Sequence, residues 1–410
     1  MNAETAPLVC DVAVVGGGMV GCLLACSLAR EGISVVVVER QSPASEWPDD
    51  EIDLRVSALT RASQRILDNL GAWEEMVRLR VSPYHGMFVW DQGGSGSIRF
   101  DAAEVAEPDL GHIVENRVTR LALWHQLEAL ESARLLVPDT VSRLDLERRT
   151  LLLASGRSLR ARLIVAAEGV NSPLREMAEI ASRGWDYDQH AIVATIRTEV
   201  DSGGVARQRF MPAGPLALLP LNDGRSSIVW STSPAEAERL LALEETEFCS
   251  ELAQASEYVL GRVEWVGPRG AFPLRLRHAE RYVREGLALI GDAAHGIHPL
   301  AGQGVNLGFL DAAMLRDVVV DALATGRDPG AFAVLRRYER ARKGGNLEML
   351  AAMDLFKRLF SNDYRPMAQL RNLGLTLADR SGPLKRIVVQ RAMGLSGERP
   401  SLAKRRLAPR

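Results

Sequence analysis

Apolar positions in this chain follow three patterns, and their order outlines the fold. Val12 to Val15 is an unbroken apolar run and Ile33 to Val38 is broken only by Ser34, the pattern of short strands buried on both faces of a parallel sheet. Between them Met19 to Arg30 has helical length and stops at Gly32. Ser57 to Leu70 again has helical spacing, with Ser57 as the expected N-cap and Gly71 as the stop. Tyr84 to Phe100 alternates through Met87 and Val89 and turns at Gly93-Gly-Ser-Gly96, which predicts a β-hairpin. A helix is expected from Val118 to Ser132, and short strands from Leu151 to Val165, the last running through Ala166 toward Glu168-Gly169. From about Arg183 to Pro273 the runs become strand-like, at Ala191 to Thr198, Leu216 to Leu221 and Ser227 to Ser231, with one helical stretch near Pro234 to Ala255. Leu287 to Ile290 returns to the buried parallel type, and a glycine-rich loop then leads into a long helix from Val305 to about Leu323. The remainder, Ala331 to Gly394, reads as helical and ends in a basic tail. The expected class is α/β. A discontinuous Rossmann-like domain takes 1–82, 101–182 and 274–330, a β-rich insert takes 83–100 and 183–273, and a helical C-terminal region takes 331–410.

The turn after the first run reads Gly16-x-Gly18-x-x-Gly21. Gly16 suits the tight turn, Gly18 lets a pyrophosphate approach the backbone, and Gly21 lets the helix pack close to the strand. Phosphates held there meet free N–H groups at a helix N-terminus, where the dipole favours negative charge. The second strand ends in Glu39, an acid placed to accept hydrogen bonds from a ribose diol. Strand, turn, helix, second strand and acid together indicate a dinucleotide site. Val12 to Ala29 also lacks charge and has the length of a membrane span, but three adjacent glycines make a poor span centre.

Composition narrows the classes. A net charge of −2 leaves no global field to recruit nucleic acid. The start Met-Asn-Ala-Glu has no basic region ahead of a cleavable apolar stretch, so a cytoplasmic location is expected. The four cysteines form no CxxC pair, and Cys22 and Cys26 share a helix face as small core residues of a reducing compartment. No HxxxH or Cys/His cluster occurs among the seven histidines, and no metal site is expected.

Two further stretches carry chemistry. One is Ala166-Ala-Glu-Gly-Val-Asn-Ser-Pro-Leu-Arg175, and the other runs from Gly291-Asp-Ala-Ala-His-Gly-Ile-His-Pro through Gly302-Gln-Gly-Val-Asn306 to Gly308. With the N-terminal fingerprint they resemble the three signatures of the class A flavoprotein monooxygenases, the para-hydroxybenzoate hydroxylase fold. Pro83-Tyr84, Phe100 to Glu104, Val114-Glu-Asn116, Ala122-Leu-Trp124, Gly270 to Leu274 and Arg371 to Gly374 resemble the ubiquinone-biosynthesis hydroxylases, most of all the demethoxyubiquinol hydroxylase branch. The likeness covers nearly the whole chain. It implies FAD with its adenosine diphosphate on Gly16, Gly18 and Gly21, the ribose on Glu39, and the pyrophosphate near Arg55. Arg40, Asn116, Arg117 and Gly169 are further cofactor positions on the same ground. Asp292 is implied as partner of the ribityl chain, and Pro299, Gly302, Gly304, Val305 and Asn306 as lining of the isoalloxazine. His298 is the candidate proton handler beside the ring. A helix opening at Val305 and Asn306 can stabilise the anionic edge of a reduced flavin through its N–H groups. The chain departs from the family at Glu168, where aspartate is expected near both the pyrophosphate and the approach of the nicotinamide.

The resemblance implies reduction of FAD by NAD(P)H, reaction with O2 to a flavin hydroperoxide, and transfer of one oxygen to the ring of a polyprenylated phenol or benzoquinol. Such chemistry needs a dry pocket, for which Phe210, Leu216 to Leu221 and Trp230 are the expected apolar wall. A halogenase or polyprenyl reductase on the same fold is one alternative, although no Trp-x-Trp-x-Ile-Pro segment is present. A flavin-bound, non-catalytic subunit of a biosynthetic assembly is the other, and Glu168 is its one support. A polyprenyl substrate lives in the bilayer, so peripheral membrane contact is expected through Lys385, Arg386, Arg391, Arg399, Lys404, Arg405, Arg406 and Arg410. A homodimer or a larger biosynthetic complex is a further expected partner.

Overall fold

The computed structural model describes residues 7–92, 96–296, 304–360, 382–395, 397 and 399–405. The first of its two large sheets has eight strands among the described residues. Its parallel centre is β1 (Leu8–Val15) between β2 (Val35–Val38) and β11 (Ser158–Ala166), extended by β8 (Ala133–Leu136) beyond β2 and β18 (Leu287–Leu289) beyond β11. Antiparallel additions are β17 (Val283–Arg284) on β18, and β10 (Thr150–Leu153) with β9 (Val141–Asp145) on β11. The two valine-rich runs sit at the centre because both of their faces are covered, and Val12, Val14 and Val37 are fully buried. Each such side chain contributes about 1.5–3 kcal/mol by leaving water. Packed on this sheet are α1 (Met19–Ala29), α4 (Asn116–Glu128) and α8 (Gly304–Ala324), and α9 (Phe332–Phe360) packs on α8.

The second large sheet orders β19 (His295–Gly296), β16 (Val263–Ala279), β12 (Ser182–Thr198), β15 (Ser226–Thr232), β14 (Leu216–Pro220), β13 (Val205–Phe210), β5 (Gly86–Asp91) and β6 (Ser97–Asp101). Its pairings are antiparallel except that of β13 with β5. The expected hairpin around 93–96 is the β5–β6 pair, and residues 93–95 of its turn lie outside the described residues. The single helix expected near 234–255 is two, α6 (Pro234–Ala242) and α7 (Glu245–Ala255), each with its own cap and together covering one face of the sheet.

A three-stranded sheet of β3 (Val56–Thr60), β7 (Gly111–Glu115) and β4 (Ser82–Tyr84) joins the two halves. It corrects one expectation. Ser57 is not a helix cap, because pairing with β7 draws Ser57 to Thr60 into a strand, and helix α2 (Arg61–Asn69) begins only after it. Its N-cap is Thr60, whose hydroxyl accepts from Ser63 N. Helices α3 (Trp73–Leu79) and α5 (Pro173–Met177) are short connectors.

The last helix, α10 (Gly382–Ala392), places Val389 and Met393 in an apolar cluster with Ala58, Tyr84, Ile113 and Leu219. Lys385 is turned inward. Its ammonium pairs with Glu104 at 2.9 Å and lies over the Phe100 ring, and Arg391 pairs with Glu348. Among the described residues no helix is long and apolar enough to cross a membrane.

Candidate active site

The three motifs meet at one place because their glycines remove the side chains that would hold them apart. Gly16 has φ +104°, and a Cβ there would stand 2.5 Å from the Ala167 carbonyl oxygen, so the first turn and the end of β11 touch backbone to backbone. Gly21 faces the Gly16 carbonyl in the same way. Val20, on the first turn of α1, fits between Gly291 and Gly308, where a Cβ would approach its methyls to 3.3 and 2.7 Å. The strand end Gly291-Asp292, the start of α8 and the start of α1 thus share one small volume.

Gly18 is different. Its φ is −76°, which any residue adopts, and a Cβ there would meet nothing within 4 Å. Neither strain nor crowding within the protein calls for glycine. What glycine leaves is an open cradle at the N-terminus of α1, where Gly18 is the N-cap and makes no side-chain cap bond. The first-turn N–H groups of α1 face that cradle without an intrahelical acceptor, the arrangement that binds phosphate.

Glu39 closes one side. Its carboxylate accepts from Gly17 N at 2.5 Å and Gln41 N at 3.1 Å, which holds the acid beside the glycine turn and leaves acceptor capacity for a diol. Arg120, which sequence reading missed, donates from Nε to the Gly17 carbonyl at 2.8 Å and stands 3.5 Å from Glu39. It sits on α4 between the family-like stretches Val114-Glu-Asn116 and Ala122-Leu-Trp124 but belongs to neither, and the fold brings it to the turn.

Asp292 follows Gly291, which Val20 of α1 meets. Its side chain is open to solvent yet ringed by protein, as on the wall of a deep recess. Burial raises its pKa, while the neighbouring His295 and Arg55 pull it down. The Arg55 guanidinium also stacks over Phe272 of β16 at 4.4 Å, tying the recess to the second sheet. Behind the recess Asp311 is fully buried and accepts from Gly291 N at 3.2 Å, Arg342 Nε at 2.8 Å, Asn346 Nδ2 at 3.1 Å, and His295 Nε2. Burial alone would raise its carboxyl, but His295 and Arg342 outweigh it and hold it at about 2. A lone acid within the apolar run Phe309 to Leu315 was the available signal for this buried network.

At the start of α8, Asn306 ties the helix to β3 and α2. Its Oδ1 accepts from Thr60 N at 2.9 Å and Ser63 Oγ at 2.6 Å, and its Nδ2 donates to the Ala58 carbonyl at 2.8 Å. With the side chain so engaged, it is backbone at Gly304, Val305 and Asn306 that this helix end can offer a ligand. Beside Ala58 is a narrow slit of about 10 Å³, lined by Ala58, Tyr84, Met87, Ala206, Gln208 and Leu219, with room for about one water. Phe210 and Trp230, expected on the pocket wall, are both buried in other clusters of the second sheet.

The other expected positions divide. Asn116 N donates to the Arg55 carbonyl, and its Oδ1 accepts from Ser57. Arg117 is spent on Glu51, Glu115 and the Trp47 ring, bracing the loop before Arg55. Arg40 is exposed, and Gly169 adopts φ +89° just after Glu168. The Glu168 Oε2 accepts from Ser172 Oγ at 2.6 Å and Leu174 N at 3.2 Å, so the extra methylene lets it reach back and cap α5. Burial raises its pKa against those bonds. His298, Pro299 and Gly302 lie outside the described residues.

Comparison with known proteins identifies the family and the shared fold. The family described as FAD binding domain matches residues 9–344. The chain belongs to that family. Relatives of the family include the 3-demethoxyubiquinol 3-hydroxylase of Escherichia coli, 43% identical over 94% of this chain and 98% of its own length. The ubiquinone hydroxylase UbiL of Rhodospirillum rubrum is 44% identical over 95% of this chain and 91% of its own. The human mitochondrial ubiquinone biosynthesis monooxygenase COQ6 is 35% identical over 92% and 90%. The fold is shared with p-nitrophenol 4-monooxygenase PnpA from Pseudomonas putida, at TM-score 0.77, 20% identity and coverage of 96% and 100%. PqsL of Pseudomonas aeruginosa, crystallised with 2-aminobenzoylacetate, superposes at TM-score 0.74, with 23% identity and coverage of 90% and 99%.

Proposed function

We propose that this protein is an FAD-dependent hydroxylase that inserts one oxygen atom of O2 into the ring of a polyprenylated phenol or benzoquinol intermediate of ubiquinone biosynthesis, with NAD(P)H as reductant. The flavin part rests on one observation, the cradle at Gly18 that no atom of the described residues fills. The substrate part rests on the names of relatives that align over nearly the full length. FAD, when bound, supplies the electron transfer and the activation of oxygen.

The chain's own residues bind and orient. The diphosphate would be held by the first-turn N–H groups of α1 at Gly18, with Gly16 and Gly21 shaping the turn. Glu39, with Arg120 beside it, would take the adenosine ribose, and the exposed Arg40 would stand at the outer edge. Arg55, whose carbonyl accepts from Asn116 N, would meet the diphosphate, and Asp292 would take the ribityl hydroxyls. The α8 N-terminus would offer partial positive charge to a bound flavin. Pro299, Gly302 and the proton handler His298 are assigned by resemblance alone. Ala58, Ile113, Ala217 and Leu219 beside the slit are the candidate apolar wall that would keep water from the ring.

The division into a discontinuous FAD domain of 1–82, 101–182 and 274–330 and a β-rich insert of 83–100 and 183–273 belongs to the same reading, with the second sheet running on past it through β16 to Ala279 and β19 at His295–Gly296. Contact with the membrane surface falls to the exposed Arg386 and to the C-terminal tail, since Lys385 and Arg391 already have partners. Glu168, the one feature favouring a non-catalytic subunit, has a local role as the α5 cap.

The test is to supply the FAD-loaded chain with NAD(P)H, O2 and a short-tailed demethoxyubiquinol and to follow products by mass spectrometry. A product heavier by one oxygen atom, labelled from isotopic O2, is expected. Phenol-stimulated NAD(P)H oxidation without oxygen insertion, under conditions where the Escherichia coli relative makes product, defeats the proposal.

A further inference from the structure

The C-terminal segment and α2, remote in sequence, together build a basic recess of about 280 Å³ on the face of α2. Its walls carry Arg61, Arg65, Lys404 and Arg405, with Asp68 exposed among them. The segment is pinned there. Asn69 Nδ2 donates to the Leu402 carbonyl at 2.7 Å and the Lys404 carbonyl at 3.3 Å, Ser401 N donates to Asp317 at 2.6 Å, and Ala403 is fully buried. The basic residues are therefore delivered to a fixed place and do not trail in solvent.

The charges around the recess do not balance. Glu107 is shared by three guanidinium groups, Arg65 at 2.9 Å and Arg61 and Arg405 at 3.3 Å each, and Asp109 takes Arg61 again at 3.2 Å. The Lys404 ammonium has no side-chain partner among the described residues, and Arg399 adds its charge nearby. Burial lowers the pKa of Arg65, and Arg405, Arg61 and Arg399 push it further down against Glu107. Among the described residues five cations, Arg61, Arg65, Arg399, Lys404 and Arg405, stand against Glu107, Asp109 and the exposed Asp68. A planar arginine fork half-used by one carboxylate, beside a free ammonium, fits a second anion with several acceptor oxygens.

We propose that this recess is a phosphate-binding site, held chiefly by Arg65 and Lys404, that takes the phosphate of an anionic lipid headgroup or of a free phosphate ester. It is independent of the flavin motifs and of the hydroxylase reading.

The FAD-loaded full chain is titrated with inorganic phosphate by calorimetry at low ionic strength, as wild type and as the Arg65→Gln/Lys404→Gln pair. Saturable binding weakened by about tenfold or more in the variant is expected. Absence of saturable binding, or equal affinity in the two proteins, overturns the proposal. Lys404→Gln alone removes an exposed ammonium without touching Glu107, and it should still weaken binding if the double variant folds poorly. Co-sedimentation with phosphatidylcholine vesicles, with and without phosphatidylglycerol, separates the sources. Loss of the phosphatidylglycerol-dependent fraction in the variant identifies a lipid headgroup, and its retention alongside weakened phosphate binding identifies a free phosphate ester. FAD content and NAD(P)H oxidation should be unchanged in both variants.

Discussion

Replacing Gly18 by alanine separates cofactor binding from folding more cleanly than any other change in the glycine turn. The backbone there is extended, at φ −76° and ψ −177°, and the added methyl meets nothing within 4 Å. Alanine is a poorer N-cap than glycine by roughly 0.5–1 kcal/mol. Against this, the unfolded chain loses freedom worth about 0.4–1 kcal/mol. The apo-protein should therefore keep its stability within about 1 kcal/mol. The same methyl enters the space assigned to the diphosphate, and displacing that group from the first-turn N–H donors should weaken FAD by at least about 100-fold, near 2.8 kcal/mol. Gly16→Ala is the contrasting control. At φ +104°, with its Cβ 2.5 Å from the Ala167 carbonyl oxygen, it should cost roughly 3 kcal/mol or more of stability. Flavin fluorescence titration gives the affinity, and urea denaturation of the apo-protein gives the stability. Full FAD affinity in Gly18→Ala refutes the cradle as the diphosphate site, and an unfolded Gly18→Ala apo-protein refutes the claim that glycine is there for the ligand.

Three further outcomes are expected. Asp311→Asn leaves Arg342 buried without its carboxylate and should cost about 3–5 kcal/mol at pH 7 by urea denaturation. The Asp311 pKa is depressed from 3.8 to about 2, so its contribution is fully present above pH 4 and fades as pH falls toward 2. The gap between wild type and variant should narrow across that window, and a constant gap contradicts the assignment. Glu168→Asp shortens the reach to Ser172 and Leu174 and should cost about 1 kcal/mol through the α5 cap. If glutamate also handicaps the nicotinamide side, stopped-flow flavin reduction by NAD(P)H should be faster in this variant, and an unchanged or slower rate rejects that handicap. Arg120→Gln removes the charge beside Glu39 and should weaken FAD by about tenfold while the visible spectrum of bound flavin stays the same, whereas an unaltered affinity would show that Arg120 only braces the turn.

The sequence by itself determined the parts of this protein that are local. Valine runs specify strands covered on both faces, and β1 and β2 lie at the centre of the first sheet as the pattern requires. Glycines with positive φ or a facing backbone, such as Gly16 and Gly21, also announce themselves, because no other residue fits a turn that touches another chain segment. Tertiary structure decided what depends on pairing across distance. Ser57 reads as a helix cap until β7 claims it as strand, and Lys385 reads as a surface charge until Glu104 draws it inward. Arg120 carries no local signal, since its role comes only from α4 lying over the glycine turn. Likewise the balance of charge on Asp311 exists only once His295 and Arg342 converge on it from separate elements. Short-range geometry is written in residue type and spacing, whereas the energy of a buried or paired charge depends on neighbours supplied by the whole fold.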